Sequence, residues 1–530
     1  MARIDPQLGG RNSLTLGVIC NWASQAVFVL SGFLLPRIID RRLGQEMLGV
    51  WDFAWALTAH TGLLAMGLSS AMSRYVARFR RLGDHEGMNR AYSATLFLLG
   101  AGFALACGLV AAFIALTPRL IHVESGQQDV RALIGDARIL VAILGASAAI
   151  QLPLSVYSGV LSGYQRFDLR TGIRVVCSLV ALCMMIAALL LGRGLAWVAA
   201  IYLVSECMMG VLNRAAAMRL CPQLGFVPSA VTAASMKEVV SLGGKTALQS
   251  LSRMSLYQTS GLIVSALVGS AALAIYSRQR ALTQFVYKLM SQYGNVFTPE
   301  ASALQAQTDV QGLQSLVVKA GRFGFAISLP FVVIFSLAGG TILELWMGQR
   351  YEAPKVLAIL MVGHVLTFAH RGTFNVLIGL DRHGAAALWE MGSAIGSIGL
   401  GLLFVGVLKW GLSGAALAVA IAVAAGGGFA PAWLACRAVG LSFGIYFVRV
   451  LPLPLLCVTP LAIAFTVASI AFPDRAFIQL GVGLGIGGML TVPLYWRIIL
   501  THSLRGRFRA GARRCAARVG LRSGAVRTGS

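Results

Sequence analysis

The sequence predicts an all-α polytopic membrane protein of about 14 transmembrane helices, and three observations carry that prediction. Of 530 residues, 57% are hydrophobic and only 12% are charged, and the mean hydropathy is +0.77; a soluble chain of this size carries far more charge. Apolar stretches close to the twenty or so residues that cross a bilayer recur along the whole length. Lysine and arginine collect in the short segments between them.

The first stretch begins near Ser13 with no small-residue cleavage site behind it, and reads as a retained helix. The expected spans are approximately 13–35, 48–70, 91–116, 138–163, 172–191, 195–213, 245–268, 271–296, 321–346, 353–380, 385–408, 412–435, 450–472 and 476–497. An even number leaves both termini on one side. With the termini in the cytoplasm, inside loops include RYVARFRRLGDHEGMNR, GYQRFDLR, the stretch from Arg214 to Lys237 and the tail from Arg497. Cations inside then outnumber those outside by roughly two and a half to one, as the positive-inside rule requires. PRIIDRRLG dissents: as an outside loop it carries Arg37, Arg41 and Arg42, partly offset by Asp40 and Glu46. No outside loop is long enough for a folded domain.

The net charge of +25 fits basic loops and a basic tail against anionic phospholipid, not nucleic acid. The nine cysteines are scattered without a CxxC pair, so they read as small hydrophobes with no redox or metal role. GVGLGIGG lacks the ending and setting of a nucleotide loop; it and AGGGF read as close-packing residues. His60, His364 and His370 lack metal spacing. No catalytic constellation, metal site or cofactor is expected.

Two segments recur. LGQEMLGVWDFAWAL from Leu43 matches VGSAALAIYSRQRAL from Val268, with Gly44 on Gly269 and Trp51 on Tyr276. VLSGYQRFDLRTG from Val160 matches VLIGLDRHGAAAL from Val376, with Gly163 on Gly379 and Arg166 on Arg382. Each step crosses about six helices, giving two halves of one orientation that enclose a site near the midplane. The expected organisation is an N-lobe over 1–220, a C-lobe over 236–436, two added helices over 446–497 and a basic cytoplasmic tail over 498–530.

Polar stripes run along several spans. Helical spacing aligns Arg280, Gln284, Tyr287, Lys288, Ser291 and Asn295 in the eighth. It aligns Lys245, Gln249, Ser252, Arg253 and Ser260 in the seventh, and His364, Thr367, Arg371 and Asn375 in the tenth. The first span offers Gly17, Asn21, Ser24, Gln25 and Gly32. An arginine or lysine at mid-bilayer costs at least about 2.5–3.5 kcal/mol, so these groups turn inward to a partner or a wet cavity. Arg278 lies off its stripe, where snorkelling to the interface accounts for it. Asp52 and Glu206 lie in the first half and the cations in the second, so pairing within a half does not satisfy them. The expected substrate-binding residues are Arg280, Arg253, Arg371, Lys288, Gln284, Gln249, Asn21 and Gln25, with Asp52 and Glu206 for ion coupling or gating. Excess positive charge favours an anion, and the guanidinium fork matches phosphate.

In LGQEMLGVW, GLSSAMSRYVARFRRLGD, SGVLSGYQRFDL, LVGSAALAIYSRQRAL with TPEASAL, LELWMGQRYEAPKVLAIL and GLSGAALAVAI, taken in order, the chain resembles the MOP superfamily and within it the polysaccharide (O-antigen type) flippases. That resemblance implies two six-helix lobes, a central cavity and alternating access. It implies a lipid-linked oligosaccharide on undecaprenyl pyrophosphate as cargo, moved from the cytoplasmic to the periplasmic leaflet of the bacterial inner membrane for surface polysaccharide or lipopolysaccharide. A polymerase and a ligase of the same pathway are the expected partners. The related lipid II flippases carry an arginine at a place resembling Arg280; they also carry arginines in the first helix, where this sequence has none before Arg37 within the expected span. The rival readings are a cation-coupled drug or small-molecule exporter, a membrane enzyme of glycan assembly, and a non-transporting assembly subunit. A cationic cargo suits an acidic cavity better, and an enzyme needs a larger outer loop.

Overall fold

The computed structural model describes residues 11–121, 130–473, 475–499 and 505. Twenty α-helices follow in order among them, with no strand: α1 Arg11–Leu43, α2 Gln45–Ala59, α3 Leu63–Leu82, α4 His85–Leu120, α5 Val130–Gly163, α6 Phe167–Leu190, α7 Leu195–Leu220, α8 Ala233–Leu267, α9 Ser270–Gly294, α10 Phe297–Ala306, α11 Val310–Leu337, α12 Gly339–Met347, α13 Pro354–Ala369, α14 Arg371–Gly379, α15 Gly384–Gly401, α16 Gly411–Val423, α17 Ala430–Ala438, α18 Phe443–Val450, α19 Pro452–Ala471 and α20 Ala476–Leu494. Most of the basic tail lies outside the described residues.

Eleven of the described helical segments are long and apolar enough to cross a membrane, and each matches one expected span. The three expected spans left over are the second, seventh and eighth. The second is α2 and α3, parted by a tight turn at His60–Gly62, and α3 carries Arg74, Arg78, Arg80 and Arg81. The seventh is α8, with Lys237, Glu238, Lys245 and Arg253; the eighth is α9, with Arg278, Arg280 and Lys288. These polar helices pack on one another: α8 lies against both α2 and α3. The apolar spans instead leave large side chains such as Val204, Met208, Val211, Ile463, Val467 and Ile470 exposed, as lipid-facing helices do.

One helix end differs from expectation. PRIIDRRLG is not a loop: α1 runs through Pro36 to Leu43. Ile39 and Asp40 in this last stretch are buried, so packing holds the turns that a proline weakens. Gly44, at φ 91°, ends the helix.

The internal repeat extends further than the sequence match. Gly44 and Gly269 both have positive φ, and Leu48 and Leu273 donate to their respective carbonyls. Gln165 and Asp381 adopt φ 57° and 52°, and Arg166 and Arg382 make equivalent hydrogen bonds back to Leu161 and Leu377. A third pair had no matching run of letters. Asp84 and Asp309 each follow a residue at positive φ, and each caps a helix by accepting from the amide of Gly87 or Gly312 at 2.8 Å.

The chain divides into two compact units. One comprises residues 1–282, 346–356 and 387–426. Its core is built where α3, α4, α5 and α7 meet, around Met72, Val76, Tyr92, Val156, Tyr157 and Val160. Gly49 of α2 lies so close to the Ser270 carbonyl that any Cβ would collide with backbone. The other unit comprises residues 283–345, 357–386 and 427–530. Phe297, Leu316, Phe325, Phe374, Tyr446 and Phe465 form its core. There Gly483 and Gly487 let α20 close on Phe465 and Leu461 of α19, and Gly427 and Gly428 face Thr367 and Leu366, so the glycine runs serve as packing residues.

Gly49→Val should abolish folding, read as loss of a monodisperse peak from detergent-solubilised protein. Gly100→Ala, where an added methyl meets nothing within 4 Å, should leave that peak unchanged.

Candidate functional site

The polar interior of the first unit begins on one face of α2. Gln45, Gly49 and Asp52 are spaced i, i+4, i+7 and so point the same way. All three meet the start of α9. Gln45 Nε2 donates to the Ala271 carbonyl at 3.1 Å, Gly49 abuts Ser270, and Asp52 accepts from Arg278. Arg278 Nη2 donates to both carboxylate oxygens, at 2.6 and 2.7 Å. Arg278 is 5% exposed. It does not snorkel to the interface: it is buried with a carboxylate from the other half of the repeat. This also corrects the expectation drawn from its off-stripe position, because the stripe was not the most buried face of α9. That face runs Tyr276, Gln279, Thr283, Val286 and Met290.

Arg280 lies two residues on and is half-buried. Its Nη1 donates to the Tyr257 carbonyl of α8, and its guanidinium lies 6.0 Å from the Tyr276 ring centre. Gly261 leaves it room, since a Cβ there would come within 3.1 Å of Nη1. Asp52, Arg278 and Arg280 are close enough for their charges to act on one another. Two cations to one carboxylate leaves this interior net positive, and Arg280 rests on a neutral carbonyl. Arg253 and Gln249 lie on α8, and their side chains lie outside the described residues.

A second polar group joins α5 and α7. Glu206, half-buried, accepts from Gln151 Nε2, which also donates to the Glu206 backbone carbonyl at 2.9 Å. Tyr202 donates to the same carboxylate, and the charge of Arg174 acts on it. Asp52 and Glu206 are thus held by different partners in the same unit. On α1, Gln25 is half-buried and Asn21 is exposed.

In the second unit, Arg371 opens α14 after a break in the helix at His370. It is buried, with its guanidinium 5.1 Å from the Tyr287 ring centre and 4.9 Å from that of Phe374. His364, Thr367 and Asn375 of its stripe are buried too. The stripe is therefore packed within the unit, and two aromatic faces lie within cation–π range of Arg371. Gln284 and Lys288 on α9 are half-buried.

A third polar group was missed from the sequence. Asp40, 3% exposed near the end of α1, accepts from Arg350 and from the Tyr351 hydroxyl. Tyr351's backbone carbonyl accepts from Gln279 Nε2 at 3.0 Å, so the network reaches the residue next to Arg278. Trp346 Nε1 donates to the Phe33 carbonyl at 2.8 Å and clasps the same segment to α1. Burial and the adjacent carboxylate push the Tyr351 phenol well above its usual range, which keeps it a donor. The acidic residue inside PRIIDRRLG and the motif LELWMGQRYEAP were both visible. Only their proximity in space was not.

A polytopic helical membrane protein with polar helices packed on one another is the class that this arrangement defines. A family model described as "Polysaccharide biosynthesis protein" matches residues 133–355, and a model described as "MatE" matches residues 23–187. A "Putative O-antigen transporter" of Shigella flexneri is 23% identical over 75% of this chain and 94% of its own. Among solved structures, "Lipid II flippase MurJ, inward closed conformation" aligns at TM-score 0.67 and 14% identity, covering 92% of this chain and 100% of that one. An inward-facing multidrug resistance MATE family transporter of the MOP superfamily aligns at TM-score 0.65 and 17% identity, covering 81% and 98%. The chain is a multi-pass membrane protein that is similar to these proteins and shares their fold.

Removing one partner of the buried pair leaves an uncompensated charge and costs about 3–5 kcal/mol. Asp52→Ala and Arg278→Ala should each lower the melting temperature of the purified protein strongly. The double variant Asp52→Asn with Arg278→Gln should recover most of that loss.

Proposed function

We propose that this protein is a flippase that carries undecaprenyl-pyrophosphate-linked oligosaccharide from the cytoplasmic to the periplasmic leaflet of the bacterial inner membrane. It serves surface polysaccharide or lipopolysaccharide assembly and works by alternating access between two six-helix halves, with both termini in the cytoplasm. It acts as a carrier, with no bond made or broken. The observation that carries the reading is the net-positive interior around Arg278 and Arg280, in a chain whose relatives include an O-antigen transporter. A guanidinium held on a neutral carbonyl loses little when a pyrophosphate replaces that partner, and the charged bond formed is about twice as strong. Arg280 is therefore the first phosphate ligand, with Arg253 on the neighbouring helix as its expected partner. Arg371, Lys288, Gln284, Gln249, Asn21 and Gln25 stand as further contacts for the headgroup and glycan.

Asp52 and Glu206 are the proposed coupling groups. A carboxylate that changes its proton or cation inside the field draws about 2.3 kcal/mol per charge from 100 mV. Basic loops and the tail would hold anionic phospholipid, and a polymerase and ligase would receive the product. The MatE match keeps a second reading, a cation-coupled drug exporter, which dye efflux from a sensitive strain would reveal.

Arg280→Ala should abolish glycan export in a strain lacking its own flippase, while membrane fractions still contain the protein. Arg280→Lys should restore only part of it, because a point charge replaces a fork. Wild-type export from Arg280→Ala would overturn the assignment.

A further inference from the structure

The Asp52–Arg278 pair looks at first like a staple between α2 and α9. Two other contacts already pin those helices on the same face. Gln45 reaches the Ala271 carbonyl, and Gly49 lies against the Ser270 backbone. The pair is also incomplete. Asp52 takes only Nη2, while Nε and Nη1 of Arg278 are buried without a hydrogen-bond partner. A guanidinium bound along an edge uses two nitrogens in parallel, and buried donors left unmade are costly. A compact carboxylate on a rigid helix satisfies one nitrogen here. A phosphate group, with more oxygens spread over a tetrahedron, can reach those that Asp52 leaves.

We infer that Asp52 is a built-in stand-in for the substrate's phosphate: it holds Arg278 until the anion displaces it, and reclaims Arg278 to drive release. This rests on the reading of the interior as a pyrophosphate site. It adds a role for one carboxylate that is distinct from ion coupling. Asp52 becomes a competitor that sets affinity, so that the arginines bind the headgroup without trapping it. Arg280 sits beside the pair with no carboxylate of its own to be displaced, so it makes the first contact and Arg278 the second. Freed from Arg278, Asp52 loses the cation that most favours its ionised form, with the Ser277 hydroxyl and the charge of Arg280 still beside it.

The test uses the full chain in lipid nanodiscs with inorganic pyrophosphate as the probe. Asp52→Asn should bind pyrophosphate about tenfold more tightly than wild type. Pyrophosphate should raise its melting temperature by more than it raises that of wild type, and glycan export should fall because release slows. Equal or weaker binding would overturn the inference. Should this variant fail to fold, wild type gives the answer. An apolar carbodiimide, which attacks protonated carboxyls, should label Asp52 faster when pyrophosphate is present; unchanged or slower labelling would overturn the inference. Arg280→Ala separates the two ideas. If it binds pyrophosphate as wild type does, the phosphate-site reading falls. If it loses binding while Asp52→Asn gains none, only the stand-in role falls.

Discussion

Hydrocarbon does not tolerate an unpartnered charge, and that one constraint organises this protein. Eleven segments meet it by being apolar, and they turn Val, Leu, Ile and Met outward. The polar helices α2, α3, α8 and α9 meet it by packing on each other. Asp52 reaching Arg278 is where the constraint is most severe, since both groups are almost fully buried. A buried pair of this kind is weak evidence for stability, because desolvation offsets much of its attraction. On the proposed reading, the pair and Arg280, which adds no further carboxylate, hold positive charge inside for the cargo.

The repeat explains how one chain supplies opposite partners to one place. Equivalent turns recur with equivalent backbone: Gly44 and Gly269, Gln165 and Asp381, the caps at Asp84 and Asp309. Against that shared framework the side chains have diverged. Asp52 stands one residue after Trp51, and Arg278 two residues after Tyr276, which is the repeat mate of Trp51. Helices that begin with the same turn thus carry the acid in one case and the bases in the other.

Much of the fold was legible in the sequence, because span length and apolar run are local properties. The eleven apolar spans are readable at sight, and the three polar ones are counted beside them from their own apolar runs. The ends were not. α1 passes Pro36 because Ile39 and Asp40 are buried by residues distant in sequence. The site was legible by residue type but not by partner. Arg280 and Asp52 stood out as charges in apolar runs, yet nothing local told which cation Asp52 would meet. Periodicity taken from Arg280 leaves Arg278 off the polar stripe, whereas the more buried face of α9 runs through Gln279. Arg371 stands out by residue type, while its aromatic neighbours Tyr287 and Phe374 are not legible from its own stripe. The Asp40–Arg350–Tyr351 group joins residues some three hundred positions apart, a distance that periodicity does not bridge.

On the proposed reading, transport would be a controlled exchange of partners around two arginines, with a carboxylate and a carbonyl as the protein's own occupants and phosphate as the cargo's. The most direct measurement is an experimental density map of the full chain with an undecaprenyl-pyrophosphate-linked sugar bound. The account predicts a phosphate within hydrogen-bond distance of the Arg280 guanidinium, with that group drawn off the Tyr257 carbonyl. A phosphate seated elsewhere, with Arg280 still on Tyr257, would contradict it.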